Sequence, residues 1–118
     1  MNKILVADDD PDILGLVKIV LHAHNYVVQA VSRWQEINSC IETFRPDLLL
    51  LDVSLEGADG REICKKIKEA RETKNLPVIL FSANADMAKF TNECGAASFI
   101  AKPFEIRELL GSIQHFLN

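Results

Sequence analysis

Leu48-Leu49-Leu50-Leu51-Asp52 is the stretch on which the fold turns. Four apolar residues in a row are too few for a helix of ordinary length, and Pro46-Asp47 breaks the chain just before them. A run apolar on both of its alternating faces suits a strand covered from both sides, as in the centre of a parallel sheet. The run stops at an acid. Asp52 therefore stands where a buried strand meets whatever lies beyond the sheet.

Working outward, short apolar runs alternate with longer helical patterns, the signature of βαβ units. Towards the N-terminus, Ile4-Leu5-Val6-Ala7 is a first buried strand, followed by Asp8-Asp9-Asp10. Asp10 suits an N-cap and Pro11 a first helical position, where a missing N–H costs nothing. Ile13, Leu14, Leu16, Val17, Val20 and Leu21 then recur at helical spacing to about His24. Tyr26 to Ala30 reads as a second, less apolar strand near an edge. Ser32 with Gln35 reads as a capping box opening a second helix towards Phe44.

Towards the C-terminus, a loop through Gly57 and Gly60 leads to a third helix from about Arg61 to Glu72, with Asp59 and Glu62 as candidate caps. Pro77 opens a fourth strand, Val78 to Phe81, ending at Ser82. A fourth helix is expected over Asp86 to Cys94, stopped by Gly95. Ser98 to Ala101 is a fifth strand ending at Lys102-Pro103. Ile106, Leu109, Leu110, Ile113 and Leu117 stripe the last helix. Five strands and five helices in alternation predict an α/β doubly wound, three-layer sandwich in a single domain over 1–118.

Composition sets the bounds. At 118 residues the chain can bury a core without disulfides or a structural metal. A net charge of −4 argues against a nucleic-acid surface, which needs clustered Lys and Arg. Cys40, Cys64 and Cys94 are odd in number and far apart, so they read as small core residues, not zinc ligands. No apolar run nears a membrane span, and no signal peptide is read before the first strand; a cytoplasmic location and no membrane contact are expected.

In a doubly wound sheet the ligand site lies beyond the carboxyl ends of the strands. Those ends carry Asp8 and Asp9, Asp52, Ser82, and Lys102. Each alone has a bland explanation: an acid before a helix caps it, a serine bonds backbone, a lysine is solvated. Asp10 and Asp12 keep the cap reading. Together the set has complementary chemistry. Three converging carboxylates repel and raise one another's pKa unless a hard cation joins them, and an all-oxygen acidic site favours Mg²⁺. With a Lys ammonium and a hydroxyl added, these are the groups that hold a phosphoryl group in transfer, and a carboxylate can be the attacking nucleophile.

Over essentially its whole length the sequence resembles the receiver domains of two-component response regulators, the CheY-like superfamily. The resemblance rests on Val6-Ala7-Asp8-Asp9-Asp10, Leu50-Leu51-Asp52-Val53, Gly60, Ser82-Ala83 and Lys102-Pro103, in order and at family spacing. It implies a flavodoxin-like sandwich with strand order 2-1-3-4-5. It implies that Asp52 is the phosphoacceptor and that Ser82 and Lys102 hold the phosphoryl group. Mg²⁺ would be bound by Asp9, by Asp8 largely through water, by Asp52 and by the backbone carbonyl of Ser54. The Lys102-Pro103 bond is expected to be cis. Ser82 and Phe99 are the implied switch, altering the face of helix four, strand five and helix five. Phe99 stands where Tyr is common, and so offers no hydroxyl.

The implied partners are a sensor histidine kinase or histidine phosphotransfer protein upstream and an effector protein or domain downstream. No direct nucleic-acid binding is implied, and a phosphorylation-dependent homodimer stays open. The chain is expected to be no enzyme in the ordinary sense, although it assists its own phosphorylation and dephosphorylation. One departure is Glu56, four residues after the acceptor, where the family often has Pro. By the resemblance, Ser54 and Asn84 stand at positions that tune loss of the phosphoryl group to water.

The alternative is a Mg²⁺-dependent aspartyl phosphatase of the haloacid-dehalogenase type, for which Asp8 and Asp10 supply a D-x-D. Such enzymes need a further acid pair after the Lys, and Phe104-Glu105-Ile106 offers one acid. A phosphate-independent interaction module would have lost an acid or the Lys, and none is lost. An FMN site would want Gly, Ser and Thr amides where this chain has acids.

Overall fold

The computed structural model describes residues 2–83 and 93–117. Five parallel strands form the central sheet: β1 (Lys3–Ala7), β2 (Val27–Val31), β3 (Leu48–Asp52), β4 (Val78–Ser82) and β5 (Ser98–Ala101). Their spatial order is β2-β1-β3-β4-β5, the expected doubly wound arrangement with β3 at its centre and β2 at an edge. Register is continuous across the sheet: Val6 faces Leu50, Leu50 faces Ile79, and Phe81 faces Ile100.

The alternation along each strand divides the core into two layers. Leu5, Ala7, Leu49, Leu51 and Leu80 point to one face, packing with Ile37 of helix α2 (Ile37–Phe44) and with Cys64 and Ile67 of α3 (Gly60–Glu69). Ile4, Val6, Leu48, Leu50, Ile79 and Phe81 point to the other, packing with Val17 and Leu21 of α1 (Pro11–Ala23). Leu109 and Ile113 of the C-terminal helix (Ile106–Leu117) complete that second layer. All four leucines of the deciding stretch are fully buried, two per layer, each contributing about 1.5–3 kcal/mol relative to exposure.

Local chemistry explains most boundaries. Asp10, in extended conformation, caps α1 by accepting from the Asp12 N–H at 2.9 Å, and Pro11 opens the helix. Asp59 caps α3 by accepting from the Arg61 N–H at 2.9 Å. Helix α3 ends at Glu69, short of the expected Glu72, because Ala70 turns extended and a run of turns follows. The capping box is not formed. A 3₁₀ turn, Trp34–Glu36, starts from Arg33 and precedes α2, so Ser32 lies in a bend outside the helix and no side chain caps either segment.

Two outward-facing positions differ from the periodicity reading: Leu16 and Ile106 fit the apolar stripes of their helices yet stay exposed. The expected fourth helix lies outside the described residues except for its end, where Glu93 and Cys94 are helical. The loop after β3 is more ordered than its glycines suggested. Ser54–Leu55 and Ala58–Asp59 pair as an antiparallel hairpin around Glu56-Gly57. None of the three cysteines forms a disulfide; Cys64 and Cys94 are buried and Cys40 is half-buried, as small core residues should be. No described helix is long and apolar enough to cross a membrane.

Candidate functional site

The carboxyl ends of β1 and β3 are adjacent because the two strands pair in register, Ala7 opposite Leu51. The residues just beyond therefore converge. Asp8, Asp9 and Asp52 each offer a carboxylate oxygen, and these oxygens all lie within 4.8 Å of one another. Asp8 is fully buried and Asp52 is 5% exposed, whereas Asp9 is open to solvent. Such a cluster of hard oxygen donors, two of them shielded from water, has the chemistry of a divalent-cation site of the Mg²⁺ kind.

Each acid is oriented by a backbone amide. Asp8 accepts from the Asp10 N–H at 2.9 Å, and Asp52 from the Ser54 N–H at 3.3 Å. Asp9 accepts from the Glu56 N–H at 2.9 Å, across 47 residues. Lys102, at the end of β5, reaches over the cluster. Its Nζ lies 2.8 Å from Asp8 Oδ2 and 3.4 Å from Asp52 Oδ2. The ammonium also stands 5.9 Å from the centre of the Phe81 ring, which stacks on Phe104 at 5.3 Å. The Lys102-Pro103 bond is cis, as expected.

Burial is the main electrostatic influence on Asp52. Together with the neighbouring Asp8 charge it outweighs Lys102 and raises the Asp52 pKa to about 6. Burial also works against the Lys102 ammonium, but the Asp8 and Asp52 carboxylates overcome it and hold its pKa above the ordinary value. A lysine charge is therefore fixed beside the acids at neutral pH.

Ser82 is buried at the end of β4, the strand next to β3. Phe99 on β5 faces Leu80, so by the two-residue alternation it shares a sheet face with Ser82 and lies diagonal to it. Its ring is half-buried against the layer containing Leu80. Gly60 is required by packing: a Cβ there would fall on the backbone oxygen of Asp52 and crowd Val53. Asn84 lies outside the described residues.

The structure thus brings Asp8, Asp9, Asp52 and Lys102 together, with Ser54 and Ser82 alongside. What side-chain reasoning passed over is the Glu56 amide. Backbone donors leave no residue-type signal, although a non-proline residue at 56 is a precondition for one.

The comparisons agree with this geometry. Residues 4–114 match the model of the response regulator receiver domain. The chain is 30% identical over 119 residues to the phosphate regulon transcriptional regulatory protein PhoB of Rhizobium meliloti (strain 1021), covering 99% of this chain and 52% of that protein. It spans about half the length of the curated relatives it matches. Among solved structures it resembles the chemotaxis response regulator CheY4 of Vibrio cholerae, with TM-score 0.91, 25% identity and 99% of each chain covered. It also resembles the BeF3-activated N-terminal receiver domain of Klebsiella pneumoniae RstA, with TM-score 0.88, 29% identity and 99% of each covered. A doubly wound sheet, an acid cluster closed by a lysine and a family match spanning nearly every residue converge on one statement: this chain belongs to the response regulator receiver domains of two-component signalling.

Proposed function

We propose that the domain accepts a phosphoryl group on Asp52 and passes the change to a partner. The observation that carries this reading is the convergence on a nearly buried Asp52 of the Lys102 ammonium and the carboxylate oxygens of Asp8 and Asp9. A carboxylate oxygen of Asp52 attacks phosphorus, and the bond from phosphorus to the donor's histidine nitrogen breaks. The imidazole leaves and an acyl phosphate is formed.

The donor set of Asp8, Asp9 and Asp52 fits Mg²⁺, with the Ser54 carbonyl as a further oxygen ligand in this proposal. When bound, Mg²⁺ supplies charge neutralisation for the transferring group. Asp8 would hold the metal from the buried end of the site, and exposed Asp9 from the solvent side. Lys102 is already positioned to pair with a new anion on Asp52, and Ser82 contributes a hydroxyl at the adjoining strand end. Phe99, diagonal to Ser82 on the same sheet face, provides a route from the phosphoryl group to the surface around β5.

A phosphohistidine on a sensor kinase or phosphotransfer protein is the proposed donor, and an effector protein or domain the proposed reader. The acidic net charge makes nucleic acid an unsuitable direct partner for these residues. The domain acts as a signalling acceptor and not a turnover enzyme; a phosphatase of the dehalogenase type is disfavoured by the family match.

The test is incubation with acetyl phosphate and Mg²⁺, read by intact mass, alongside beryllofluoride titration read by spectroscopy. Wild type should gain one phosphoryl group and Asp52→Asn none. A wild type unchanged by either reagent would overturn the proposal.

A further inference from the structure

The three acids differ in how they are held. Asp8 and Asp52 accept from amides only two residues along the chain, so their orientation is built into the strand ends. Asp9 is exposed, and its Oδ2 is held by the amide of Glu56 from a separate hairpin. The orientation of Asp9 therefore depends on where that hairpin sits.

The hairpin turn has defined chemistry. Leu55 pairs with Ala58, leaving Glu56 and Gly57 as its two central residues, and Gly57 has φ +82°. Positive φ at the second central position, with a non-positive first, fits a type II turn, in which Pro is favoured at the first position. Glu56 occupies that first position and keeps the N–H that Pro lacks. Trp34 packs against the turn. A Cβ built on Gly57 would lie 3.3 Å from the indole Nε1 and 3.9 Å from Cδ1, so the ring packs directly against the turn and a side chain at 57 would crowd it. Trp34, Glu56 and Gly57 line a common recess, and Trp34 keeps 39% of its surface exposed.

We propose that Trp34 and the Glu56-Gly57 turn form a positioning device for Asp9. The indole seats the turn, the Glu56 N–H fixes one carboxylate oxygen of Asp9, and the other oxygen is left oriented as a ligand atom. This rests on the reading of Asp8, Asp9 and Asp52 as a divalent-cation site. Three residues outside the acid cluster thereby set cation affinity. Holding a ligand in its bound orientation removes an ordering cost from binding, and loss of such outer contacts typically weakens metal binding by about 10–100-fold.

The experiment is calorimetric titration with Mg²⁺ of wild type, Glu56→Gln, Glu56→Pro, Trp34→Ala and Asp9→Asn, with melting in chelator for each. Glu56→Gln removes the charge but keeps the N–H, and should bind within about threefold of wild type. Glu56→Pro suits the turn but removes the donor, and should bind about tenfold or more weakly. Trp34→Ala should weaken binding in the same direction while its metal-free melting shows it folded.

Equal affinity in Glu56→Pro and Glu56→Gln would overturn the role of the amide. Wild-type affinity in Trp34→Ala would overturn the role of the indole, and that variant alone decides if Glu56→Pro does not fold. A wild type whose Mg²⁺ binding is absent or indifferent to Asp9→Asn would instead overturn the functional reading beneath it.

Discussion

Lys102 Nζ rests 2.8 Å from Oδ2 of Asp8, joining the end of β5 to the end of β1 across 94 residues of sequence. Asp8 is fully buried, and this ammonium, which also lies 3.4 Å from Asp52 Oδ2, is its charge partner. Removing one member of a buried pair strands the other. Lys102→Met should therefore destabilise the metal-free protein by about 3 kcal/mol at pH 7. Saturating Mg²⁺ should recover much of that loss, because the acids regain a counter-charge. Urea unfolding with and without Mg²⁺ measures both quantities.

Asp52 carries a pH signature. Its folded pKa is raised to about 6 from 3.8, so the native state holds this proton more tightly than the unfolded chain. The group's contribution to stability is then full below about pH 4 and is lost as pH rises towards 6. Asp52→Asn cannot ionise. Its stability advantage over wild type should grow from pH 4 to about 6 and then level at roughly 3 kcal/mol in chelator. Paired denaturant titrations across this range read the difference directly, and an advantage independent of pH would contradict the assignment.

Gly60 leaves no space for a methyl group beside the Asp52 carbonyl. Its N–H also donates to the Val53 carbonyl at 2.7 Å, tying the start of α3 to the segment after the acceptor. Gly60→Ala should cost about 1–3 kcal/mol through forced backbone displacement. It should also slow acetyl phosphate modification of Asp52 in the fraction that remains folded, as measured by intact mass over time.

Burial drives the Cys64 thiol up to about 12. Since the thiolate is the reactive form, native Cys64 should resist iodoacetamide at pH 8 while half-buried Cys40 labels faster. Peptide mapping after labelling in buffer and in urea should show Cys64 modified only in the second. Modification in the native state would mean that α3 opens away from the sheet.

Much of this was legible in residue types and their spacing. Four leucines before Asp52, apolar on both faces, could be satisfied only by cover on two sides, and β3 is the central strand. Asp10-Pro11 wrote the start of α1 because capping is a local event within three residues. Ser32 and Gln35 misled for the same reason in reverse. A capping box is local and easily outweighed, and the 3₁₀ turn from Arg33 moved the helix start past it. Leu16 and Ile106 fit a helical stripe, but the width of the buried face is set by the neighbouring elements and not by the helix itself.

The sequence by itself determined the alternation of strands and helices, the acids and lysine at the strand ends, and the family to which they point. Those features repeat with a local period or sit at a fixed distance from one, so they are readable without coordinates. Tertiary structure alone decided which oxygen of Asp8 meets Lys102, that burial raises Asp52, and that the Glu56 amide reaches Asp9 from a turn packed against Trp34. Each depends on contacts between segments distant along the chain, or on a backbone donor that every residue but proline carries. Only the packed fold selects among them.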